Sequence, residues 1–114
     1  MGAEQYPIIE KWQDIQNWML DTVEKFPKST RFTIGTRLIN IVLDVTEKLI
    51  EAIYTKNRTH ILVQVNIYIE KLRIFNRLCL RRQYYTLKQY EYISTELQTF
   101  GSMLGGWLKA EGKK

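Results

Sequence analysis

Apolar residues recur at spacings of three and four in four separate stretches of this 114-residue chain, and between the stretches the pattern stops. That spacing matches the 3.6-residue turn, so each stretch is a helix with one buried face. The first carries Ile8, Trp12, Ile15, Met19, Val23 and Phe26. Pro7 suits its first turn, where a missing N–H costs nothing. Pro27 ends it, because the ring pushes Phe26 out of the α region. The second, capped by Ser29 or Thr30, carries Phe32, Gly35, Ile39, Val42, Thr46, Leu49 and Ile53. A further apolar row runs beside that stripe through Ile34, Leu38, Ile41 and Val45, leaving Arg37, Asn40, Asp44, Glu47, Lys48 and Glu51 for solvent. Such a helix is either the most buried of its bundle or touches another subunit. The row Ile34, Leu38, Ile41, Val45 is the expected oligomer interface.

After the polar break Lys56–Thr59, the third stretch carries Ile61, Val65, Tyr68, Leu72, Phe75 and Cys79. Thr86 with Gln89 is a capping-box pattern that opens the fourth, which carries Leu87, Tyr90, Ser94, Leu97, Gly101, Leu104 and Leu108. Gly within a helix costs about 1 kcal/mol relative to Ala. Ser94, Gly101 and Gly105 therefore suggest close approach by a neighbouring helix. Short connections make sequential helices antiparallel. The expected fold is all-α: an up-down-up-down four-helix bundle, one domain over residues 1–110, with 111–114 as a flexible basic tail.

Composition narrows the function. A hydrophobic share of 45% is that of a folded protein. The single cysteine, Cys79, cannot form an intramolecular disulfide and reads as a buried thiol. Met1 to Trp12 has no basic segment followed by an apolar one, and no apolar run nears the ~20 residues of a membrane span. The expectation is a cytoplasmic protein without a membrane partner.

Catalytic chemistry lacks its parts. His60 is the one histidine, and no second histidine or cysteine stands at metal-ligand spacing. Asp14, Asp21 and Asp44 are isolated, so no carboxylate pair could hold two metals. Gly-rich phosphate loops and Gly-x-Ser-x-Gly elbows are missing. A bundle ribonuclease would place Arg and then His with four to six residues between them; Ile53, Tyr54 and Thr55 occupy the positions for that Arg, and Arg58 is too close to His60. The chain is expected to be no enzyme, with no metal, cofactor or small-molecule substrate.

Charge points to an anionic partner. The net charge is +5 and the pI about 9.4. Arg73, Arg77 and Arg81 recur every fourth residue of the third helix, and Arg82 follows. In an up-down-up-down chain that helix end lies beside Lys25, Lys28 and Arg31 from the first connection and Lys88 from the third. Arginine suits phosphate because its planar fork donates two hydrogen bonds at once. The nearby acids are Asp21, Glu24 and Glu91. Tyr84 and Tyr85 are candidates either to stack on unpaired bases or to cover a core edge. The plain alternative is a solvated charged face.

The stretch Phe26-Pro27-Lys28-Ser29-Thr30-Arg31-Phe32-Thr33-Ile34-Gly35-Thr36-Arg37 is part of a recognisable signature. Leu49–Ala52, Glu70–Arg73, Leu87–Tyr92 and Met103–Lys109 continue it in order. Together they resemble the accessory variability determinant (Avd) proteins of diversity-generating retroelements. A sibling family, encoded within ribosomal RNA genes, carries a Ser-x-x-x-Asn-Ile-x-Glu-Gly-like element where this chain has Asp44–Ala52. The resemblance implies a homopentameric barrel of four-helix bundles. It also implies binding to nucleic acid (RNA or an RNA–DNA hybrid) and to the element's reverse transcriptase, in support of mutagenic copying. The alternative is a scaffold that binds only an acidic protein partner.

Overall fold

The computed structural model describes residues 6–113, and those residues hold four helices and no strand. Helix α1 is Pro7–Glu24. Helix α2 runs without a break through Lys28–Thr30, the π-helical turn Arg31–Gly35, and Thr36–Ile53. Helix α3 is Thr59–Arg81 and α4 is Leu87–Glu111. Each packs on its sequence neighbour, and α1 also packs on α4, closing a bundle 46 Å long. Among the described residues no helix is long and apolar enough to cross a membrane. The part of the expected domain that falls on Met1–Gln5, and the end of the expected tail at Lys114, lie outside the described residues.

Local chemistry explains the boundaries. Pro7 stands at the start of α1. Pro27, rather than Ser29 or Thr30, holds the N-cap position of α2. The Thr86 capping box forms as expected: Thr86 N–H donates to Gln89 Oε1 at 2.8 Å, and Gln89 N–H to Thr86 Oγ1 at 3.1 Å. Helix α4 continues to Glu111, whose carboxylate pairs with Arg58 at 3.6 Å, so Glu111 belongs to the bundle.

All six residues of the first stripe are buried, five on α1 from Ile8 to Val23 and Phe26 just past its end. Trp12 sits at the centre, 5.0 Å from the Phe100 ring, with Nε1–H donating to Thr46 Oγ1 at 2.9 Å. Helix α2 departs from expectation. Leu38 and Val45 are 0% exposed, Ile41 is buried and Ile34 half-buried, so the row taken as an oligomer interface belongs to the protein's own core. The inward line is Leu38, Val42, Val45, Leu49 and Ala52, falling between the two rows read from the sequence. The apolar surplus lies outside, at Leu43, Ile50 and Tyr54.

The π turn accounts for part of this shift. One extra residue per turn changes the phase of everything before it. Phe32, expected on the core stripe, is consequently 67% exposed. Hydroxyls take up carbonyls that the widened turn loosens: Thr33 donates to Ser29 O (3.1 Å) or Thr30 O (3.2 Å), and Thr36 to Arg31 O at 3.1 Å. Gly35 lets α1 approach, since a Cβ there would stand 2.9 Å from Val23 Cγ1. Gly35→Ala should therefore cost about 1–3 kcal/mol, the usual effect of an overpacked core; thermal unfolding at unchanged wild-type melting temperature would contradict this.

Small residues of α4 behave differently from expectation. A Cβ on Gly101 would meet Arg73 Nη2 at 3.2 Å, an arginine tip rather than a neighbouring backbone. Gly105 and Gly106 face open space.

Candidate nucleic-acid interface

Antiparallel packing carries the first and third connections to one pole. Phe26 shows this directly: its ring centroid lies 6.0 Å from Tyr84 and 6.1 Å from Tyr85. At the opposite pole Arg58 pairs with Glu111 and stands over the Trp107 ring at 5.7 Å, while Tyr6 stacks on Trp107 at 5.8 Å. Lys25, Lys28 and Arg31 thus share a pole with Arg81, Arg82 and Lys88, the juxtaposition that an up-down-up-down chain predicts.

All six of these side chains are exposed, as is Arg77 one turn away. None of the seven forms an ion pair among the described residues, although Lys11, Lys48, Arg58 and Arg73 all do so elsewhere. Arg31 Nη1 donates to Glu24 O at 3.4 Å, and Arg82 Nε to Tyr84 Oη at 3.3 Å. That second bond pushes the Arg82 pKa further up, although any guanidinium is already charged throughout the working pH range. Unpaired guanidinium and ammonium groups retain their full field for an incoming anion.

Arg73 stands apart. It is eight residues from Arg81, about 12 Å along the axis. Its guanidinium pairs with Glu70 at 3.3 Å and reaches toward Leu97 O at 3.4 Å, so it fastens α3 to α4. The i, i+4, i+8 arginine series therefore splits into a structural member and two free ones.

Neither tyrosine of the third connection offers an open ring. Tyr85 is buried and donates to Asn76 Oδ1 at 2.8 Å, and Tyr84 is half-buried against Phe26. Burial raises the Tyr85 hydroxyl pKa and pushes the neighbouring Cys79 thiol up to about 11, so both stay protonated and the thiol is inert near neutrality. The most exposed aromatic near this pole is Phe32, at 67% against 45% for Tyr92, and the sequence pattern assigned it to the core. Lys28 Nζ lies 6.0 Å from its ring centroid. The signal that could have exposed it is the pair Thr33 and Thr36, whose hydroxyls bond back to carbonyls of the widened turn.

Around this geometry no three of His, Cys, Asp and Glu converge as metal ligands among the described residues. Fold and surface together define a small four-helix protein with an unpaired cationic pole. The chain belongs to the bAvd-like family, whose model matches residues 7–111. That family is one of accessory, non-catalytic proteins of the diversity-generating retroelement kind. No curated protein matches the chain.

Proposed function

We propose that this accessory protein binds the retroelement's template RNA, or an RNA–DNA hybrid, through the cationic pole and associates with the element's reverse transcriptase. The single observation that carries the nucleic-acid half is the set of seven exposed cations without ion pairs. Family membership supports the polymerase half. Binding through phosphates releases counterions, so affinity should fall by about 0.7–0.9 log units per log unit of salt for each phosphate neutralised. A titration of the protein against structured RNA at several salt concentrations tests this. Salt-independent binding, or none at low salt, contradicts it. Capture of the reverse transcriptase without any RNA affinity would favour the scaffold that meets only an acidic protein.

The same proposal includes self-association, with the pentamer resting on family membership. Two exposed apolar rows lie on different helices: Leu43 and Ile50 on α2 with Tyr54 just past its end, and Val63, Ile67, Ile74 and Leu78 on α3. Glu47 and Glu51 flank the first, and Glu70 and Lys71 stand beside the second. Two different faces favour a head-to-tail contact, which closes into a ring when the rotation permits. Ile67→Asp with Ile74→Asp should leave a folded monomer in light scattering. An unchanged oligomer mass would remove α3 from the interface.

A further inference from the structure

The cationic pole has one feature that phosphate binding does not require, an exposed phenylalanine beside an apolar cleft. The π turn takes Phe32 out of the buried phase of α2. Its ring lines an open cleft of about 330 Å³ between α1 and α2, with Leu20, Val23 and Ile39 as the other apolar walls. That size is at the lower end of small-ligand sites, enough for one flat group and too short for a helix. Arg31 also lines the cleft, and Lys28 stands 6.0 Å from the ring centroid. The one carboxylate beside it is Glu24, whose backbone carbonyl accepts from Arg31.

We propose that this cleft takes an unpaired nucleobase, stacked on Phe32, while Lys28 and Arg31 hold the phosphates on either side of it. The inference rests on the reading of the pole as a nucleic-acid interface and adds a preference within it. The ligand must present a flat apolar face and carry negative charge on both sides of that face. A single strand meets both requirements at every residue, and aromatic stacking accepts any base. A duplex keeps its base faces covered by their neighbours, so it can engage the cations and not the ring. The pole therefore selects single-stranded segments of RNA over paired ones.

Fluorescence anisotropy with the full chain tests the assignment. The probes are a labelled unstructured RNA of about 12 nucleotides and the same sequence annealed to its complement, at low salt where phosphate contacts are strongest. Phe32→Ala should weaken single-strand binding about 5- to 100-fold, the range for a lost stacking aromatic, and leave duplex binding unchanged. Phe32→Trp should retain single-strand affinity, and Phe32→Leu should behave as the alanine variant does. Because the ring is largely exposed, the helical circular dichroism of all three should match wild type. If Phe32→Leu binds as well as wild type, the ring is an apolar contact and stacking is refuted. Loss of reverse transcriptase binding in Phe32→Ala, with both RNA affinities intact, assigns the cleft to a protein side chain and also refutes it. If wild type binds both probes and Phe32→Ala changes neither, the inference fails while the pole stands. If wild type binds neither probe, the proposed function itself fails.

Discussion

Reversing the charge of Lys28, Arg31 and Arg82 together should lower RNA affinity by at least about 100-fold and reduce the salt slope by about 2–3 units, one for each lost phosphate contact. The control is the reversal of Lys56, Lys109 and Lys113, which sit at the opposite pole. Both triple variants change the net charge from +5 to −1, since each substitution removes two units. Any difference between them therefore reports position and not net charge. The bundle is 46 Å long, and the Debye length at physiological salt is about 8 Å. Charges at one end are screened from a ligand at the other, so the control variant should lose less than about threefold. Equal losses would show that RNA is held by diffuse charge and that the pole is not a site. Arg73→Glu is a poor choice for this test: it would place a second carboxylate beside Glu70 and break a contact that joins α3 to α4.

Trp12→Ala should have the largest effect on stability. The side chain is almost wholly buried, tilts against Phe100 and donates its indole N–H to Thr46. Removing it leaves a cavity where α1, α2 and α4 meet. Large aromatic-to-alanine changes in cores cost about 3–5 kcal/mol, against a total of about 5–15 kcal/mol for a domain. The melting temperature should drop by roughly 10–20 °C. Trp12→Phe keeps most of the apolar mass and loses the hydrogen bond, so its cost should be nearer 1–2 kcal/mol, the net worth of one bond plus minor repacking. If both variants lose the same stability, the indole hydrogen bond and not the packing governs this position.

How far the sequence could be read depended on how narrow each apolar stripe is. Helix α1 has one dominant stripe and prolines at both ends, so Ile8, Trp12, Ile15, Met19 and Val23 follow from spacing alone, and only Ile9 and Thr22 join the buried set beside them. Helix α2 is apolar around more than half its circumference. Any of several inward lines satisfied the pattern there, and the line chosen by packing runs between the two that spacing suggested. Leu43 and Ile50, standing within the polar face, were the overlooked sign that the apolar surplus of this helix lies outside the core. The π turn was hidden because an inserted residue alters phase and leaves the local composition unchanged. That is also why Phe32 read as a core residue. The meeting of the first and third connections was legible because it needs only antiparallel neighbours and short links. Arg73 was not, because an arginine that packs across a helix interface has the same spacing as one that waits for a ligand.

The widened turn at Arg31–Gly35 also constrains how relatives of this chain can vary. Deleting a single residue there would restore a regular helix and swing Pro27, with the whole of α1, by about 100° around the α2 axis. The first helix would lose its seat against Thr46 and Phe100, and Phe32 would rotate away from the cleft. A length change at this point cannot be absorbed locally, so the five residues of the turn should be inherited, lost or replaced as a unit.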